Sequence, residues 1–308
     1  LVGINGTQAL SIAAGHGTYS VGRVQTPTLG MVCERYWENR RFTPEAFWQL
    51  HIAVDGNNDG TVKLSSSGKW KEKEPATALY NKVKEAGTAT VTKAERKEKT
   101  EDTPLLYDLT TLQKEANAKH GFTAEQTLEI AQKLYEKKLV TYPRTGSRYI
   151  PDDVFAEIPK LLAFIGAMPE WQGKVQEKAG PTRRSVDGGK VTDHHALLVT
   201  GEKPLFLSKE DNTVYQMIAG RMIEAFSEKC VKDTTTVTAE CAGAEFTVKG
   251  SVIRQAGWRA VYGEEDKEEI SIPDWQEGDT LTLKGCSITE GKTKPKPLHT
   301  CLLYTSDA

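Results

Sequence analysis

The chain has 308 residues and is close to neutral, with 40 Lys and Arg against 42 Asp and Glu and a formal charge of −2. That removes a global basic footprint, so any polyanion would have to be held by local basic strips. No apolar run is long enough to span a membrane, and five cysteines without a CxxC pair indicate neither a zinc site nor a disulfide framework, which suits a reducing cytosol. No signal peptide is visible, and Leu1 in place of Met leads to the expectation that the natural N-terminus lies upstream.

Residues 1–21 are small and glycine-rich, as for a helix and loop leading into Gly22. Thr26 as N-cap and Pro27 as first residue open the next helix. Its Leu29, Val32, Cys33, Tyr36 and Trp37 recur at helical spacing and predict a core-facing stripe. Phe47–Val54 reads as a strand, Asp55–Gly60 as a turn cluster and Thr61–Leu64 as a second strand. A helix over Pro75–Ala86 and a strand over Thr88–Thr92 follow. The mixed-charge run Lys93–Asp102 reads as a solvated strand end or linker.

A helical block comes next. Thr110-Thr111-Leu112-Gln113 has capping-box spacing, and Gly121 is a natural terminator. Thr123-Ala124-Glu125-Gln126 caps a second helix, with Leu128, Ala131, Leu134 and Tyr135 on one face. Lys137 and Lys138 fall in its last turn, where cations suit the helix dipole. Pro151–Ala167 predicts a further helix, and residues 169–191 a polar, flexible loop. Val214–Phe226 is strongly helical, with Val214, Met217, Ile218, Met222 and Ala225 toward the core. Strands are expected again at Thr234–Glu240, Ala244–Lys249, Glu269–Ile272 and Thr280–Leu283, before a basic, proline-broken linker at Lys292–Pro297.

The segment Thr141-Tyr142-Pro143-Arg144-Thr145 carries the most chemistry. Proline disfavours the α region for the residue before it, so Tyr142 should be extended. In an extended segment Tyr142 and Arg144 share a face and can reach one phosphate. A free phenol ionises only near pH ~10, so a nucleophilic tyrosine needs a cation or base beside it. A guanidinium can hold phosphate oxygens in a bidentate fork. Taken alone, the pentapeptide also fits a half-buried strand tyrosine beside a surface arginine.

The longer run from Leu134 to Ser147 resembles the catalytic segment of type IA DNA topoisomerases. Three further segments match that family in the same order: Gly22-Arg23-Val24-Gln25-Thr26-Pro27, Asp108-Leu109-Thr110-Thr111-Leu112-Gln113, and Thr192-Asp193-His194-His195-Ala196. Within the family the chain is most like the bacterial topoisomerase III subgroup.

The resemblance implies an α+β multidomain fold, part of a torus, with a helical tyrosine-bearing domain inserted between two β-rich arch segments. Residues 1–40 would belong to a helical base, 41–102 and 229–291 to the arches, 103–228 to the tyrosine domain, and 292–300 to the return into the base. Residues 301–308 break the family pattern and look like a translated sequencing adapter.

By the same resemblance, Tyr142 would attack a DNA phosphorus and become joined to the 5′ phosphate, with Arg144 stabilising the charge. Arg23, Gln25, His194 and Thr145 would contact DNA or its phosphates, and exposed Tyr149 or Trp171 could stack bases. His195 is given no role. The implied substrate is single-stranded DNA, and the implied protein is a monomer of the cytoplasm associated with the nucleoid, without a membrane partner. The implied Mg²⁺ would be held by an acidic Toprim domain for which these residues show no cluster, so the isolated chain is expected not to relax supercoiled DNA. Gly146 also departs from the family, which often places an aspartate there. One rival is a non-catalytic module that binds single-stranded DNA as a strand gate on the same scaffold. Another is a recombinase or relaxase, whose own Arg/His or metal-histidine sets are not evident.

Overall fold

The two β-rich stretches, separated in sequence by the whole helical block, end in one closed sheet. The structure is a computed structural model that describes residues 2–56, 60–175, 181–263 and 271–299. The expected tail at 301–308 lies outside the described residues. Two compact units divide the chain: Trp48–Thr289, and Leu1–Phe47 with Glu290–Ala308.

In the larger unit, strands β1 (Ala46–Asp55), β2 (Thr61–Ser66), β3 (Thr88–Glu101), β4 (Cys230–Cys241), β5 (Ala244–Gln255) and β6 (Thr280–Lys292) close as a barrel in the order β1-β2-β5-β4-β3-β6. Closure leaves no open sheet edge. The barrel core is built from alternating inward residues such as Leu50, Ile52, Val54, Leu64, Val91, Val237 and Phe246. Helix α3 (Lys73–Ala86) adds Ala76 and Val83 to it. β4 and β5 are joined by Ala242-Gly243, both at positive φ, as a two-residue hairpin turn requires.

The charge run is strand rather than linker. Residues Lys93 to Glu101 pair in register with Thr238 to Cys230. Several of their outward side chains are paired, Lys93 and Lys97 with Glu95 and Arg96 with Asp274, while Glu98 and Lys99 stand exposed. Opposite them stands a row of threonines, which tolerates a solvated face. β6 also runs further than expected, into the predicted linker. Of the expected strand Glu269–Ile272, Ser271 and Ile272 are irregular and the rest lies outside the described residues.

Between β3 and β4 sits a helical cluster of α4 (Leu109–His120), α5 (Ala124–Glu136), α6 (Asp152–Gly166) and α7 (Lys209–Phe226). α7 is its axis: every residue from Met217 to Phe226 is buried. Arg221 is buried there with two carboxylates. It bonds Glu115 at 2.5 Å and Glu224 at 2.9 Å, and lies 4.2 Å over the Tyr107 ring. Burial alone would raise the Glu115 carboxyl, but Arg221, the Tyr107 hydroxyl and Lys119 outweigh it and hold it below its ordinary range. For Glu224 burial wins, and its carboxyl is pushed up despite Arg221. The predicted caps shift by a residue or two. Asp108, not Thr110, caps α4 by accepting from Thr111 N, whereas Thr123 caps α5 as expected.

The smaller unit holds α1 (Val2–Ala14) and α2 (Gln25–Arg40). α2 begins at Gln25, and the Thr26 hydroxyl accepts from Gly22 N instead of capping. The predicted core stripe of α2 is exposed: Leu29 is 62% and Trp37 50% accessible. Two helices and the short strand ends offer that stripe too little apolar surface to bury it. No helix among the described residues is long and apolar enough to cross a membrane.

Candidate active site

α5 delivers the chain to Tyr142. Its apolar face buries Thr127, Ile130, Ala131 and Leu134, which fixes the direction in which the helix points. The helix closes when Lys138 takes a left-handed backbone, φ 59°, with Lys138 N donating to Tyr135 O (2.7 Å) and Leu139 N to Leu134 O (2.9 Å). The chain then runs extended beside residues 194–200. Thr200 N donates to Leu139 O (3.1 Å), Thr141 N to Leu198 O (2.9 Å), and Leu198 N to Thr141 Oγ1 (3.0 Å). Tyr107 and Tyr149 hold the far side of 194–200 through Leu197 N and Ala196 N. This lateral pairing brings the distant segment carrying His194 against the tyrosine.

From Pro143 to Ser147 burial alternates strictly: Pro143, Thr145 and Ser147 inward, Arg144 and Gly146 outward. That is extended chain, as the proline predicts. Tyr142 is half-buried, and its ring lies between two others. Tyr135 meets it edge-on at 5.4 Å, and His194 at 4.5 Å with a 50° tilt. Arg144 and His194 are exposed. Arg144, Lys137 and Lys138 have no carboxylate partner among the described residues.

Thr145 is placed differently from the expectation. It is only 5% accessible, its Oγ1 donates to His194 O (2.8 Å), and it accepts from Ser147 N (3.1 Å). Its proton is committed to fixing the histidine backbone rather than offered to a phosphate. Ser147 is likewise buried, donating to Lys190 O at 3.0 Å. His195 turns inward, its Nδ1 against Ala196 O at 2.7 Å. Trp171 is a core residue, 5% accessible, with Nε1 bonded to Gln216, so it cannot stack a base. Tyr149 is half-buried, with the Lys190 ammonium 4.8 Å over its ring. A side chain at Gly146 would meet open space, so nothing in the fold demands glycine there.

Arg23 and Gln25 belong to the smaller unit. Arg23 is exposed in the turn before α2, and Gln25 Oε1 accepts from Ser20 Oγ at 3.0 Å. In sequence Tyr135 reads only as part of an apolar face. The edge-on aromatic contact has no sequence signal beyond the seven-residue spacing from Tyr142. Among the described residues no group of three or more His, Cys, Asp or Glu could hold a metal ion.

The Tyr142 ring and the His194 imidazole are in contact, and the exposed Arg144 follows two residues on along the same extended segment. Comparisons with known proteins identify the family. The profile of a family described as DNA topoisomerase matches residues 1–301. DNA topoisomerase 3 of Bacillus subtilis is 35% identical over 96% of this chain, and that of Bacillus licheniformis 34% identical over the same share. The chain belongs to the type IA DNA topoisomerase family. It spans 42% of the length of these curated relatives. Full-length topoisomerase I from Thermotoga maritima has the same fold over 91% of this chain and 46% of its own, with a TM-score of 0.71 at 23% identity.

Proposed function

We propose that Tyr142 is the nucleophile of a reversible break in single-stranded DNA, made by the longer protein of which these residues form a part. Its Oη bonds to a backbone phosphorus as the bond from phosphorus to the 3′ oxygen breaks. The phenol proton passes to solvent, the departing oxygen takes one up, and a 5′-phosphotyrosine faces a free 3′ hydroxyl. One ester replaces another, so attack by the 3′ hydroxyl reseals the strand without ATP. Arg144 holds the phosphoryl oxygens in its fork as charge builds on them. His194, its ring tilted against the nucleophile, donates to the same phosphate. Arg23 and Gln25 hold phosphates from the smaller unit, where Arg23 precedes a helix N-terminus.

Magnesium is assigned to acidic residues outside this chain, where it would offset phosphodiester charge. On this reading the protein is a monomer of the cytoplasm that completes a torus and changes DNA linkage by strand passage.

The observation that carries the reading is the ring of Tyr142 against those of Tyr135 and His194, two residues from a guanidinium that has no carboxylate partner among the described residues. The full-length protein, mixed with a 3′-labelled single-stranded oligonucleotide and denatured, should retain label. Tyr142→Phe should retain none. Label retained by the variant would sink the reading, and label retained by neither would favour a strand gate that only binds.

A further inference from the structure

Among the described residues three that are not glycine have positive φ: Lys138, Phe206 and Ala242. Ala242 is explained by its hairpin. Lys138 is the left-handed residue that closes α5, a position where glycine fits freely and a side chain is disfavoured. The chain itself uses glycine for this duty elsewhere: Gly87 closes α3 at φ 64° and Gly121 closes α4 at φ 73°. A cation at a helix C-terminus is favoured by the dipole, but Lys133 and Lys137 already supply that from unstrained positions. The dipole therefore does not account for lysine at 138.

The surroundings do. The Lys138 carbonyl accepts from Thr200 Oγ1, and the next carbonyl from Thr200 N, so its backbone is pinned beside the tyrosine segment. Its amide is bonded to Tyr135, the residue whose ring edges onto Tyr142. Its side chain is exposed and, among the described residues, without a carboxylate partner, like those of Lys137 and Arg144.

We propose that Lys138 contacts a backbone phosphate of the DNA strand presented to Tyr142, and that this contact is why lysine occupies a position suited to glycine. The proposal rests on the DNA-cleavage reading. The test uses the 308-residue chain and a fluorescent oligothymidylate, with affinity measured across a salt series. Lys138→Gly should raise Tm by about 2–4 °C and lower the slope of log K against log salt by about 0.7, one phosphate contact on a single strand. Lys138→Gln keeps the stem and loses the charge, so it should lower the slope equally without raising Tm. Lys82→Ala, an exposed lysine on α3, should leave the slope unchanged. A wild-type slope in both Lys138 variants, or an equal loss in Lys82→Ala, overturns the contact while leaving the cleavage reading intact. No binding of oligothymidylate by the wild-type chain would also overturn the contact, whereas the cleavage reading stands or falls on the adduct formed by the full-length protein.

Discussion

The barrel and the tyrosine segment are both extended and both rich in charge, yet most cations of the barrel are paired and those beside the tyrosine are not. On the barrel, Lys93, Arg96 and Lys97 each have a carboxylate within reach, Arg254 has Asp233, and Lys232 and Arg259 share Glu101. At the tyrosine, Lys137, Lys138 and Arg144 have none among the described residues. A net charge of −2 averages over the two and hides the difference. Most barrel cations are neutralised where they stand, Lys63, Lys99 and Lys249 being among the exceptions in the described residues, whereas the cations flanking the tyrosine are all open to a ligand.

The strongest way to break this contrast is to remove a paired cation that is buried. Arg221→Met leaves Glu115 and Glu224 without their guanidinium and should cost about 3–5 kcal/mol, read from urea unfolding. A loss under about 1 kcal/mol would show that the pairing is incidental. Thr145→Val is the next largest. It strands a buried amide and the His194 carbonyl, and should cost about 1–3 kcal/mol. It should also lower adduct yield in the full-length protein, because His194 is no longer fixed.

Glu101 sharpens the contrast through pH. Burial pushes its carboxyl up, but hydrogen bonds and charge from Lys232 and Arg259 outweigh it and hold it below its ordinary value of 4.5. Its contribution is therefore complete above that value and lost as pH falls through the lowered one. Tm should fall more steeply below pH 4.5 in the wild type than in Glu101→Gln, and parallel curves would contradict the assignment. Smallest is Arg144→Ala. Stability should change by less than about 0.5 kcal/mol, since the arginine supports nothing in the fold. Oligonucleotide affinity should nevertheless lose salt dependence, which anisotropy measures.

Much of this was legible in the chain. Pro143 dictates the extended tyrosine segment, Gly121 ends α4, and the apolar stripe of Val214, Met217, Ile218, Met222 and Ala225 marks the axis of the helical cluster. What escaped depends on partners distant in sequence. The charged run Lys93–Asp102 carries no alternating apolar signal because its strand is held by pairing to a threonine-rich neighbour. The α2 stripe promised burial, but periodicity reports only that a face is apolar, not that something covers it. At the site, the types and spacing of Tyr142 and Arg144 were readable. The commitment of Thr145 to the His194 carbonyl was not, because a hydroxyl looks the same in sequence whether it faces solvent or a backbone forty-nine residues away.

The pairing of Glu101 with Cys230 has a consequence for how this chain reaches its fold. The helical cluster leaves the barrel and returns to it through opposite members of one antiparallel rung, about 5 Å apart. While the cluster is unfolded, that rung closes a very long loop. Once the cluster has condensed on its local contacts, the same rung closes almost none. The order of events follows: helices first, then the barrel zips from Glu101 toward Thr90. In stopped-flow refolding, Trp171 in the cluster should report before Trp70 in the barrel, and the reverse order would mean that the sheet templates the helices.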